Sequence, residues 1–254
     1  MDMTVRRIKM IICIAGDYKT GKTVSACTFP KPLLLVDFDD GAKSVVNAKD
    51  KAGKLIVSDH DQIEVVTFRK VGNYDLSFIT EQKGSIAPAY TKDSLAVMKQ
   101  YNHLIREVAE GKRIYKTVVI DSMTNMFLVW KECILAANNR PSLQIADYGT
   151  LESALKSQFI PTLKSLPCEF VILIDHIDAD KDETTGAIAE FPVGPSRQQG
   201  KLMGLNFDEM WRQVVEAEKY LWYTRKKGLF NAGSRLGLPN PIEANYTTLR
   251  GYLK

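Results

Sequence analysis

Eight residues from Gly16 to Thr23, GDYKTGKT, set two glycines, a lysine and a threonine at the spacing G-x-x-x-x-G-K-T. That spacing suits phosphate chemistry. Glycines let backbone N–H groups close on phosphate oxygens, the lysine reaches the β- and γ-phosphates, and the hydroxyl ligates magnesium. Gly16, Asp17, Tyr18, Lys19, Thr20, Gly21, Lys22, Thr23 and Val24 are thus the expected nucleotide cradle. Lys19 is not the extra lysine of the deviant partitioning-ATPase loop, whose place is held by Asp17. Such a loop needs a second carboxylate for Mg2+ at a neighbouring strand end. YKTVVIDS supplies Asp121, which is expected to share the ion with Thr23. Hydrolysis also needs a group that orients the attacking water. LLLVDFDDG offers Asp37, Asp39 and Asp40, and strand alternation points Asp37 and Asp39 the same way, with Asp39 preferred. EFVILIDHID ends on Asp175-His176, where His176 can touch the γ-phosphate and transmit its loss to the segment that follows. Lys22, Asp39 and His176 form the expected catalytic set.

Short apolar runs must position these groups. IKMIICIA, LLLVDF, KLIVSD, IEVVTF, KTVVID and EFVILID read as strands, with helical segments at 22–28, 92–110, 122–138 and 146–165 between or after them. Nearly continuous apolar strands alternating with helices predict an α/β fold, a mostly parallel sheet covered on both faces. Ser122 is a good N-cap for its helix, and Pro141 lies beyond the end. From 207 the character changes. DEMWRQVVE and KYLWYTRKKG predict a C-terminal antiparallel β extension turning near Ala217, after a nucleotide-binding core over 1–206 of a single 1–254 domain. Segments 70–91 and 178–200 read as long connections, which in a compact domain are functional or mobile.

Composition narrows the classes. The chain has 254 residues, 45% hydrophobic and 25% charged, the balance of a water-soluble globule. No apolar stretch reaches the 18 or more residues of a membrane span, and the apolar start leads into the phosphate loop rather than a signal cleavage site. Cys13, Cys27, Cys133 and Cys168 form no C-x-x-C pair and read as reduced thiols of a cytoplasmic protein. Three histidines argue against a His-rich metal centre. Net charge is +4, yet from Arg197 onward ten basic residues face five acids, an excess of +5. A basic C-terminal fifth suits a polyanion.

Taken in order, GDYKTGKT, LVDFDDGAKSV, VVIDS, ADYGTLESALKSQFIPTL, ILIDHIDADKDETTG, GKLMGLNFDEMWR and YTRKKGLFNAGSRLGLP resemble the RecA-like core ATPases, most closely the small bacteriophage members linked to single-strand annealing and recombination. The likeness runs over about residues 8–242. It implies a RecA-like P-loop NTPase core that binds ATP and Mg2+ and acts on single-stranded DNA. It places Asp39 where the family carries a catalytic Glu, about one bond longer, so hydrolysis is expected to be weak. His176 matches the γ-phosphate-sensing residue, and 178–200 the mobile DNA-holding segment. Because DADKDETTG is acidic, DNA contact is expected from Arg197 and Lys201 instead. Arg235 in NAGSR resembles the basic residue a neighbouring subunit inserts into the nucleotide site, although Gly233 or Ser234 stands where the family has a preceding Lys. A homo-oligomer, and an annealing protein, single-strand binding protein or helicase as partner, follow from the resemblance, in the host cytoplasm for a phage-encoded chain. The extended N-terminal segment that larger recombinases use to polymerise is lacking, so filaments are not implied.

Two other classes compete. A small-molecule kinase would use the same loop, but kinases of that kind carry several arginines in a lid, whereas 178–200 holds only Arg197. A nucleotide-dependent switch that recruits a DNA-processing partner with little turnover fits the shorter Asp39.

Overall fold

The computed structural model describes residues 9–50, 52–68, 87–181 and 184–253. Its centre is a sheet in the order β11 (Ile242–Glu243), β9 (Lys219–Tyr223), β8 (Glu209–Glu216), β1 (Met10–Gly16), β5 (Phe170–Asp175), β4 (Thr117–Asp121), β2 (Leu33–Asp37) and β3 (Ile63–Thr67), with β10 (Gly233–Ser234) also paired to β8. Strands β1 (Met10–Gly16), β2 (Leu33–Asp37), β4 (Thr117–Asp121) and β5 (Phe170–Asp175) are buried along their whole lengths. Together with β3 (Ile63–Thr67) they pair in parallel. Alternation divides each buried strand between two cores. Ile11, Cys13, Leu34 and Val36 face one apolar cluster; Ile12, Ile14, Leu33 and Leu35 face the other. Continuous apolar runs therefore form strands here because both faces are covered.

Helices α1 (Lys22–Ala26), α2 (Lys43–Asn47), α3 (Ala87–Ala109), α4 (Met123–Ala137) and α5 (Ile145–Ser153) follow in chain order. Ser122 caps α4, its hydroxyl accepting the Asn125 N–H. The expected helix over 146–165 is present but interrupted. A π-helical stretch, Ala154–Phe159, joins α5 to α6 (Ile160–Ser165), where Pro161 enters the turn. Of segment 70–91, residues up to 86 lie outside the described residues, and α3 begins at Ala87.

Two expectations are corrected. KLIVSD is not a strand. Asp50 Oδ1 accepts the N–H groups of Ala52 and Lys54, folding the chain into a tight turn, and only the Lys49–Leu55 bridge follows. Segment 178–200 is not an open connection. Strands β6 (Ile177–Lys181) and β7 (Ile188–Pro192) pair antiparallel around a turn with Gly186 at φ 70, and α7 (Arg197–Leu202) follows, capped by Ser196. Beyond 206 the chain continues in the same sheet. Strand β8 (Glu209–Glu216) lies parallel against β1, so the chain beyond 206 is built into the core. The expected antiparallel hairpin is there: β8 pairs with β9 (Lys219–Tyr223) across Ala217 and Glu218, both at positive φ. The short strands β10 (Gly233–Ser234) and β11 (Ile242–Glu243) and helix α8 (Tyr246–Arg250) complete this edge. Trp211 and Trp222 are fully buried side by side, their ring centroids 4.8 Å apart. Among the described residues no helix is long and apolar enough to cross a membrane.

Candidate nucleotide site

The GDYKTGKT loop leaves β1 at Gly16 and enters α1 at Lys22, with Lys19 at φ 61 and Gly21 at φ 78. Glycine is required at both ends. A Cβ on Gly16 would stand 2.6 Å from the Gln213 carbonyl oxygen, and one on Gly21 would meet the Tyr220 ring at 2.8 Å. Thr20 Oγ1 donates to the Asp17 carbonyl at 2.9 Å, tying the loop to itself. Lys22 folds back and donates to the carbonyls of Gly16 (2.9 Å) and Asp17 (2.7 Å), using two of its three donors. Burial pulls Lys22 below the ordinary lysine value, while Asp121, Asp17, Asp175 and Asp39 pull it back up. Val24 turns its side chain into the core, so only its backbone belongs to the cradle.

Thr23 and Asp121, 98 residues apart in sequence, meet directly: Thr23 Oγ1 donates to Asp121 Oδ2 at 2.6 Å. Gly41 keeps this corner open, for a Cβ there would sit 3.6 Å from Asp121 Oδ2 and 3.7 Å from Thr23 Oγ1. Burial pushes Asp121 up to about 7; the Thr23 hydrogen bond and Lys22 oppose the rise, and Asp39 and Asp37 add to it. Hydroxyl and carboxylate oxygens are the donors Mg2+ prefers, and that ion needs few of them because it retains waters and phosphate oxygens. Among the described residues no group of three His, Cys, Asp or Glu forms an all-protein cage.

The acids after β2 differ from expectation. The strand stops at Asp37, so alternation does not carry on to Asp39. Asp37 is fully buried and accepts three backbone N–H groups, from Asp39, Gly41 and Ala42, as the internal cap of the turn. Asp39 reaches away from it. Its Oδ1 accepts from Ser122 Oγ at 2.8 Å and Asn125 Nδ2 at 2.5 Å, which brings it to the start of α4 beside Asp121.

His176, half-buried at the end of β5, lies against the loop, its ring centroid 4.5 Å from that of exposed Tyr18. Burial, then the Lys22 charge, holds His176 below the usual histidine value. Neighbouring Asp175 is fully buried and held well above the usual carboxylate range by that burial.

Arg197 and Lys201 are brought together with an acid. Both reach Asp180 of β6, at 3.5 and 2.6 Å, which offsets their charge locally. Arg235 is exposed and pairs with Asp208 at 3.3 Å.

Several participants escaped the sequence. Asn125 and Thr124 sit in SMTNMF, polar exceptions at the head of an apolar helix, a signal that could have marked them. Gln213 interrupts the apolar alternation of β8. Its Oε1 accepts from Ser25 Oγ and Trp222 Nε1, and its Nε2 donates to the Thr20 carbonyl, so one buried amide ties the loop to α1 and to β9. Arg212, next to it, pairs with Glu190 of β7 and stands 3.7 Å from Asp17 Oδ2.

A phosphate loop between a central parallel strand and a helix, faced by a hydroxyl–carboxylate pair, defines a P-loop nucleotide-binding protein. The chain belongs to the AAA domain family, whose profile matches residues 8–236. No curated protein matches the sequence. Among solved structures, a prototypical ATPase from the type III secretion system of pathogenic bacteria aligns over 83% of this chain at 12% identity and TM-score 0.41. This chain spans about half of that one, 53%.

Proposed function

We propose that the chain binds ATP with Mg2+, hydrolyses it, and uses turnover to act on single-stranded DNA in recombination or annealing of the bacteriophage type. The observation that carries the nucleotide half is the 2.6 Å meeting of Thr23 and Asp121 in front of a loop closed by Lys22. Thr23 and Asp121 would hold the ion, which when bound neutralises charge on the phosphate oxygens. Lys22 exchanges its carbonyl partners for phosphate. Asp39, steadied by Ser122 and Asn125, orients the attacking water, and His176 senses the γ-phosphate.

The DNA half rests on charge and on the resemblance. Exposed Arg225 and Lys226 follow β9, within the C-terminal excess of basic residues. Arg197 and Lys201 join them when a phosphate backbone displaces Asp180. Arg235 completes a neighbouring subunit's site in a homo-oligomer. ATP turnover with and without single-stranded DNA, with particle mass measured alongside, tests the whole reading. Stimulation by DNA supports it; turnover indifferent to DNA removes the DNA half.

A switch is the second reading, favoured by Asp39. Its carboxylate is shorter than a Glu, and Oδ1 already serves two donors. Nucleotide-dependent capture of an annealing protein or helicase with negligible turnover would select it.

A further inference from the structure

We propose that Tyr220 is the platform of a base subsite, its ring stacking on the aromatic base of the bound nucleoside triphosphate. This rests on the nucleotide-binding reading above. Two exposed tyrosines stand at the phosphate loop, Tyr18 within it and Tyr220 of β9 against Gly21. Their surroundings assign them to opposite ends of the ligand. In sheet order, β5 and β4 lie on one side of β1, and β8 and β9 on the other. Asp121, the partner of Thr23, ends β4, so the metal-bound end of the phosphate chain belongs on that side. Tyr18 is there too, stacked on His176 at the end of β5. A triphosphate held at Thr23 and Asp121 and threaded over Gly21 turns its nucleoside away from β4, toward β8 and β9. The ring that meets it is Tyr220.

Strand β9 builds this platform. Alternation sets Tyr220 and Trp222 on one face. Trp222 is buried in the same cluster as Val24 and Ala26 of α1, so that face is the one α1 covers. Tyr220 stands one step further along, opposite Val215, whereas Trp222 stands opposite Gln213. There the ring reaches the start of α1. A Cβ on Gly21 would lie 2.8 Å from Tyr220 Cε1 and 2.9 Å from Cδ1, so glycine is what lets the ring rest on the loop backbone. The strand beneath is fixed by pairing with β8 and β11, and the Tyr220 carbonyl accepts the Ala244 N–H at 2.9 Å. Yet Tyr220 remains 42% exposed. A ring already ordered and still open to solvent loses little freedom when a base covers it. Every base has a π face, so the contribution does not depend on which base is bound.

Calorimetric titration of the full chain, in Mg2+, with ATP and with inorganic tripolyphosphate separates the two ends of the ligand. Tyr220→Ala should weaken ATP about tenfold, within the range for losing one base–aromatic stack, and GTP to a similar degree. Tripolyphosphate should stay within about twofold of wild type, because it has no base to stack. Tyr220→Leu, which keeps apolar bulk on the strand, should repeat the alanine result, and Tyr220→Phe should bind ATP as wild type does. Equal losses for ATP and tripolyphosphate would overturn the inference, since the ring would then only shape the Gly21 turn. Unchanged ATP affinity in folded Tyr220→Ala or Tyr220→Leu would overturn it as well. If those variants keep wild-type ATP affinity while Lys22→Ala abolishes binding, the base subsite fails and the phosphate-loop reading stands. If wild type binds neither ligand, the nucleotide reading itself falls and takes the subsite with it.

Discussion

Asp37 and Asp39 are two residues apart and do different physical work. Asp37 is fully buried and satisfies three backbone N–H groups, so its removal leaves buried donors unpaired. Asp37→Ala should cost on the order of 2–4 kcal/mol in denaturant unfolding, whether or not nucleotide is present. Asp39→Asn should leave stability near wild type and lower kcat by roughly 10²-fold at nearly constant nucleotide affinity, as expected for a contact made mainly in the transition state. Equal and mild effects from both would remove Asp39 from the chemistry. Asp121 adds a pH signature. Its value in the fold, about 7, stands above an unfolded carboxylate near ~3.9. The stability that its proton lends is therefore full below about pH 4 and lost as pH rises through 7. Metal-free Asp121→Asn should melt above wild type at pH 8, with the gap closing toward pH 4, while losing Mg2+–nucleotide binding; a gap constant across pH would contradict the assignment. At this scale the sequence was legible in the spacing that sets Lys22 and Thr23 on one loop and brings Thr23 to Asp121. It was not legible for Asn125 or Gln213, because the site residues they hold, Asp39 and Thr20, are 86 and 193 residues away in sequence.

Strand β8 is the element on which the phosphate loop leans. Gln213 reaches Ser25, Trp222 and the Thr20 carbonyl, and the Gln213 carbonyl abuts Gly16. Gln213→Ala should loosen nucleotide binding and cost about 2–4 kcal/mol, since several buried polar groups lose their partner at once. Calorimetric titration with ATP, beside an unfolding curve, measures both; unchanged affinity would mean that the loop holds its shape unaided. The buried parallel strands could be read from their apolar runs because both faces are covered. The β6–β7 hairpin could not. Its residues alternate weakly and its acids suggest solvent, and what orders it is pairing with itself plus the Glu190–Arg212 contact to β8. Even the KLIVSD run, strand-like by composition, lost to a local turn organised by Asp50.

Across the whole molecule, the C-terminal excess of basic charge is divided between paired and exposed groups. Binding to single-stranded DNA should weaken with salt by about 0.7 log units per log unit for each phosphate neutralised. Replacing Arg225 and Lys226 together by Gln should flatten that slope by roughly one to two units. Asp180→Asn should act in the opposite sense, tightening binding as Arg197 and Lys201 lose their internal counter-charge. Fluorescence anisotropy across a salt series reads both; no response to Asp180→Asn would place the DNA away from the hairpin. The pairing of β1 with β8 also bears on synthesis. The phosphate loop leaves the ribosome well before Gln213, which grips its Thr20 and follows 193 residues later. A nascent chain thus carries a finished motif long before it carries a finished site. On the proposed reading, nucleotide binding then becomes a checkpoint of biogenesis, open only to chains translated past β8.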